Sequence, residues 1–184
     1  MKQIRNKAFE TNSSSTHCLV LTGESGDHFN SFIPDKISFG EFGWGYETLS
    51  SARDKLSYIV TLIQYVDKNV NSLTPPSWND PNRELLKVEY SENKMASIEN
   101  SKYLIWLKEM VLEKTGKSFD IEKLDGNYYD FGYIDHQSLS PHIFYKYGKD
   151  IFSMEEKDFK DFLSEVIFTD NYLIEVDNDN RERD

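Results

Sequence analysis

The stretch that decides the fold class is Ser153-Met154-Glu155-Glu156-Lys157-Asp158-Phe159-Lys160-Asp161-Phe162-Leu163-Ser164-Glu165-Val166-Ile167, followed after a short gap by Tyr172-Leu173-Ile174-Glu175-Val176. Phe159, Phe162, Leu163, Val166 and Ile167 recur at three- and four-residue spacing. That spacing predicts a helix over about 154–167 with one apolar face. Ser153 with Glu156 three residues on reads as a capping box. Glu155, Lys157, Asp158 and Asp161 mix both charge signs, the pattern of a solvated helix face. Tyr172–Val176 has strand composition. One helix and one strand of clear but different period predict a domain that mixes the two.

Moving outward, Leu56, Ile59, Val60, Leu62, Ile63 and Val66 predict a central helix over about 51–67, capped by Thr48 or Ser50. Tyr103, Leu104, Leu107, Met110 and Val111 predict another over about 97–115, and Gly116 stands where a C-terminal cap is wanted. Between them, Thr74-Pro75-Pro76 and Asp80-Pro81 make 69–82 irregular. The stretch 83–97 is charged and ambiguous. Ile37-Ser38-Phe39 and Tyr128–Ile134 have strand composition. In Gly40-Glu41-Phe42-Gly43-Trp44-Gly45 the alternating glycines permit either unusual backbone angles or close approach of another group. Long irregular segments separate the helices, which argues against a regular βαβ alternation. The expected fold is therefore a single α+β domain over 1–184, with three main helices packed on a small antiparallel or mixed sheet. Its polar tail is 177–184.

The chain has 184 residues, enough for a sizeable core without metal or disulfide. Its net charge of -11 repels phosphate backbones and disfavours direct nucleic-acid binding. The same charge is compatible with mimicry of a nucleic acid. The single cysteine, Cys18, has no partner for an intramolecular disulfide, which fits a reducing compartment. Met1–Lys7 has charge without an apolar segment behind it, and no apolar run approaches the roughly 20 residues of a membrane span. A cytoplasmic protein is expected, inside a host cell if a phage encodes it.

Three polar clusters are candidate sites. The first is Glu10-Thr11-Asn12-Ser13-Ser14-Ser15-Thr16-His17, running into Cys18-Leu19-Val20-Leu21. Its hydroxyls, amide, carboxylate and imidazole either satisfy a hairpin backbone or bind an anion, nucleotide or phosphate, with His17 able to move a proton. The second is Ile134-Asp135-His136-Gln137-Ser138, with His142 beyond it. Asp135 beside His136 suits a metal phosphohydrolase, yet the other ligands of such a site are not evident, so no metal is assigned. A strand end with ordinary polar side chains is the competing reading. The third, Asp177-Asn178-Asp179-Asn180, lacks the glycine and distal glutamate of a calcium loop and reads as a polar strand terminus. Trp44 and Trp78 sit on loops, where tryptophan either anchors a partner or packs underneath. Trp106, on a helix, reads as core.

The block Phe9-Glu10-Thr11-Asn12-Ser13-Ser14-Ser15-Thr16-His17 resembles the opening of a group of proteins found in bacteriophages and bacteria. Ile134–Ser138 and the ending Tyr172–Asn180 resemble two further blocks of the same group. The resemblance implies a phage or mobile-element origin and names no activity or cofactor. It also suggests that the three polar clusters share one pocket: Glu10, Asn12, Ser13, Ser14, Ser15, His17, Asp135, His136 and Ser138. The leading expectation is a small acidic phage-type accessory protein that binds and modulates a host protein, such as a defence nuclease. The alternative is an enzyme or binding protein for a nucleotide or phosphorylated small molecule. The sequence leaves open whether the chain is an enzyme, and it leaves the oligomeric state open.

Overall fold

Helix α1 (Ala52–Val66) is the element around which the chain is built. The structure is a computed structural model that describes residues 15–21, 33–43, 46–122, 131–134, 145–146 and 149–178. Leu56, Tyr58, Ile59, Val60, Leu62 and Ile63 of α1 are all withdrawn from solvent. A helix buried over so wide an arc needs neighbours on several sides. It has them in α4 (Lys102–Thr115), α5 (Glu156–Phe168), β2 (Lys36–Ile37) and β6 (Tyr133–Ile134).

The helix opens one residue later than Ser50. Ser51 is extended and its Oγ accepts from the Asp54 backbone N–H at 3.1 Å. Ser51→Ala is expected to remove about 1 kcal/mol of stability. An unchanged urea midpoint in that variant would show that the cap is not used.

Strand β9 (Tyr172–Asn178) is the middle of a three-stranded antiparallel sheet between β1 (Ser15–Leu21) and β4 (Glu47–Leu49). Ile174 and Val176 point into the core, and β9 packs on α5, which precedes it. Two short parallel ladders pin the rest of the chain: β2 with β5 (Asp120–Ile121), and β3 (Glu41–Phe42) with β6. A further short antiparallel pair is β7 (Tyr145–Lys146) with β8 (Lys149–Asp150). The architecture is α+β, as the sequence predicts.

Three details differ from expectation. First, the region 83–99 is a long helix, α3 (Arg83–Glu99), preceded by the short α2 (Lys68–Asn71). The helix expected over 97–115 is α4, which starts only at Lys102, while residues 97–99 close the separate helix α3. The two helices break at Asn100-Ser101, where Ser101 turns extended and gives its hydroxyl to the buried Asp67 carboxylate at 2.6 Å. Second, the capping box at Ser153 does not form. Ser153 ends a 3-10 turn, Ile151–Ser153, and its hydroxyl donates to the Asp150 carbonyl. The Asp150 side chain caps that turn and Phe152 is drawn into the core, so α5 opens at Glu155 instead. Third, β1 reaches back to Ser15, so the end of the polar run lies within the strand.

Glycines act at two places that matter. Gly116 ends α4 in the left-handed region at φ 69°, as expected of a C-terminal cap. Gly132, at φ 61°, backs directly onto the Gly40 backbone, and the Tyr133 N–H donates to the Gly40 carbonyl at 2.9 Å. A side chain at 132 would strike that backbone. A Cβ added at Gly40 would strike the Phe42 ring, so close approach is its use, whereas Gly43 takes an unusual backbone angle, φ 100°.

Candidate functional site

Pairing of β1 with β9 places Ser15 opposite Asn178, Thr16 opposite Asp177 and His17 opposite Val176. The end of the first polar cluster and the start of the third therefore lie on adjacent strands. Across β9, Val176 also faces Glu47 of β4, so His17, Val176 and Glu47 form one row of the sheet. The second cluster enters through Ile134, buried in β6 opposite Phe42. Glu10, Asn12, Ser13, Ser14, Asp135, His136 and Ser138 lie outside the described residues, as does Trp44.

At the β4 end of that row an open groove of about 420 Å³ is lined by Gly40, Phe42, Glu47, Asp54 and Ser57, among others. Two of its polar groups are engaged in holding the fold. Asp54 accepts from the Ser51 hydroxyl, and the Ser57 hydroxyl donates to the Ser38 carbonyl. A second groove, about 360 Å³, lies over Asp67, Asn69, Asn100, Lys102 and Tyr103. Here Asp67 accepts from the Asn69 N–H with one oxygen and from Ser101 with the other. Tyr103 donates to the Phe152 carbonyl. These bonds fasten α1, α2 and α4 together. Among the described residues no group of three His, Cys, Asp or Glu side chains is placed to hold a metal ion. Nor is any described helix long and apolar enough to cross a membrane.

Two lysines depart from ordinary behaviour. Lys55 is buried in α1, and its Nζ donates to the carbonyls of Val166 at 2.9 Å and Thr169 at 3.3 Å. These are carbonyls at the C-terminal end of α5, where a helix leaves acceptors unused. Burial lowers the Lys55 pKa to about 8, against a smaller upward pull from Asp170. Lys94, half-buried on α3, has its Nζ 4.7 Å from the Phe131 ring centroid and 5.7 Å from that of Tyr90. Burial lowers its pKa to about 8 as well.

The surface carries a different signal around the start of α3. Trp78 is 82% exposed, and Leu85 and Val88 are 73% and 42% exposed. The Arg83 guanidinium sits over the Trp78 ring, 3.9 Å from its centroid. That stack holds a large apolar plate in place without burying it. Of the two loop tryptophans, Trp78 thus does not pack beneath its loop. Trp106 lies half-buried against the core, in contact with Phe159.

Leu85 and Val88 were not legible as surface positions, because the apolar residues of 83–97 are few and scattered among charges. The available signal was the wider spacing of Ser91, Met95 and Ile98, the buried side of α3. Comparison of the chain with protein-family models, with curated proteins and with solved structures finds no match.

Proposed function

We propose that the chain is a small acidic accessory protein that acts by binding another protein. The observation carrying this reading is the set of exposed apolar side chains at the start of α3, Trp78, Leu85 and Val88. Large exposed apolar side chains mark contact surfaces, and tryptophan is prominent among residues that dominate binding energy. The grooves support an enzyme less well, since Asp54, Ser57 and Asp67 in them are bonded within the fold. The resemblance of Phe9–His17, Ile134–Ser138 and Tyr172–Asn180 to proteins of phages and bacteria supports a bacterial host protein as the partner. A net charge of -11 makes a defence nuclease, whose active cleft must attract phosphates, the first partner to try.

The test is affinity capture from a bacterial lysate with wild type and a Trp78→Ala/Leu85→Ala/Val88→Ala variant, followed by titration of the purified captured protein. The expected result is a partner whose affinity falls at least about 30-fold in the variant, the scale of one lost hot spot. A partner that binds both proteins equally would remove these side chains from the reading.

A pocket for a nucleotide or phosphorylated small molecule is the second reading, supported by the pairing of Ser15 with Asn178. It requires that a nucleotide raise the melting temperature of wild type and not of His17→Ala.

A further inference from the structure

Helix α3 shows a stripe along its outer side. Leu85, Val88, Glu89, Glu92, Ala96 and Glu99 are all exposed and fall at i, i+3, i+4, i+7, i+11 and i+14, one face of a helix. Ser91, Met95 and Ile98, on another side, are buried. The stripe has a definite chemistry: apolar toward the N-terminal end, carboxylate along the rest, and free of basic residues. The basic residues of this part of α3 are used elsewhere. Arg83 stacks on Trp78, and Lys87 lies 3.5 Å from Glu84.

We infer that this stripe seats a basic amphipathic helical segment of the partner, its apolar side chains against Leu85 and Val88 and its lysines or arginines opposite Glu89, Glu92 and Glu99. The inference rests on the binding reading above and narrows it to one partner chemistry. Charge complementarity selects that occupant. A second copy of this chain would bring the same carboxylates and another net charge of -11, so like charges would meet. A nucleic acid or an anionic lipid surface is repelled for the same reason. Helix-on-helix contact also suits the geometry, because the stripe is straight and runs for about 20 Å at the usual helical rise.

The test uses two labelled peptides of identical leucine and lysine composition, one patterned as an amphipathic helix and one scrambled. Their binding is followed by fluorescence anisotropy at two salt concentrations. Wild type is expected to prefer the patterned peptide by about tenfold, or about 1.4 kcal/mol. Leu85→Ala/Val88→Ala should erase the preference while still attracting both peptides. Glu89→Lys/Glu92→Lys should weaken both and flatten the salt dependence. All four positions are exposed, so these variants should keep the wild-type circular dichroism and melting temperature. Equal affinity of wild type for the two peptides overturns the inference, as does a preference that survives Leu85→Ala/Val88→Ala. The binding reading can outlive it. A captured partner that needs this face, yet contacts it through a neutral or acidic segment when cross-linked and mapped, refutes only the basic segment. Self-association in sedimentation that Leu85→Ala/Val88→Ala abolishes would assign the stripe to a second copy and overturn the inference.

Discussion

Phe159→Ala is expected to lower the free energy of unfolding by about 3–5 kcal/mol, the range for deleting a buried aromatic side chain. Phe159 is fully buried where α4 meets α5. Its ring centroid lies 5.5 Å from that of Trp106, 5.8 Å from Tyr103 and 5.9 Å from Phe152. Those three side chains are anchored independently. Tyr103 is tied to the Phe152 carbonyl, and both belong to segments fixed by other contacts. They are poorly placed to collapse into the vacated space, so a cavity should persist. Chemical denaturation checks this, with Trp78→Ala as the surface control. Because Trp78 is 82% exposed, its removal should change stability by no more than about 0.5 kcal/mol. A loss below about 1 kcal/mol in Phe159→Ala would mean that the aromatic cluster is loosely packed. Ion pairs beside it will not rescue the variant. Lys160 bridges Glu156 on its own helix to Glu109 on α4, but such pairs contribute little where their carboxylates face solvent.

The elements most legible in the sequence were those whose apolar period is wide and regular. Helix α1 presents Leu56, Ile59, Val60, Leu62 and Ile63 within two turns, and α5 presents Phe159, Phe162, Leu163, Val166 and Ile167; both appear nearly where the periodicity puts them. Helix α3 was not legible, because it buries only Ser91, Met95 and Ile98 along a narrow seam and shows charge elsewhere. Its length comes from tertiary contact with α2 and α4, which local sequence does not encode. Two serine caps were misplaced in a related way: α1 is capped by Ser51 and not by Thr48 or Ser50, and Ser153 bonds the Asp150 carbonyl in place of forming its capping box. A hydroxyl chooses among acceptors that only the fold brings near. The polar clusters were legible as places but not as a site. Register shows that Ser15 meets Asn178, a pairing that no local pattern carries. Lys55 was invisible for the opposite reason, since a lysine within an apolar helix face reads as a solvated intruder until its acceptors on α5 are seen.

Lys55→Ala is expected to cost about 2–5 kcal/mol at neutral pH, combining a cavity with two carbonyls that lose a donor. Lys55→Met should recover most of the packing, because its unbranched stem fills the same channel, while still leaving Val166 and Thr169 without the ammonium. The sharper consequence is in the pH dependence. The Lys55 pKa falls from 10.5 to about 8 on folding, so between those values the unfolded chain binds more protons than the folded one. Stability must then rise with pH across that window, and the gain is lost as pH falls back through about 8. Lys94, lowered to about 8 by burial, adds to the same slope. Tyr65 and Tyr103 act the other way. Burial raises both above 10.0, so the stability they contribute is present at lower pH and is lost as pH climbs through their folded pKa values. The rise should therefore be clearest from pH about 8 to just below 10 and flatten beyond. Urea midpoints measured across this range should climb in wild type, climb less in Lys55→Met, and climb least in Lys55→Met/Lys94→Met. A wild-type midpoint that is flat or falling there would mean that Lys55 stays charged at no cost. Its contact with the end of α5 would then be strong enough to offset its burial in full.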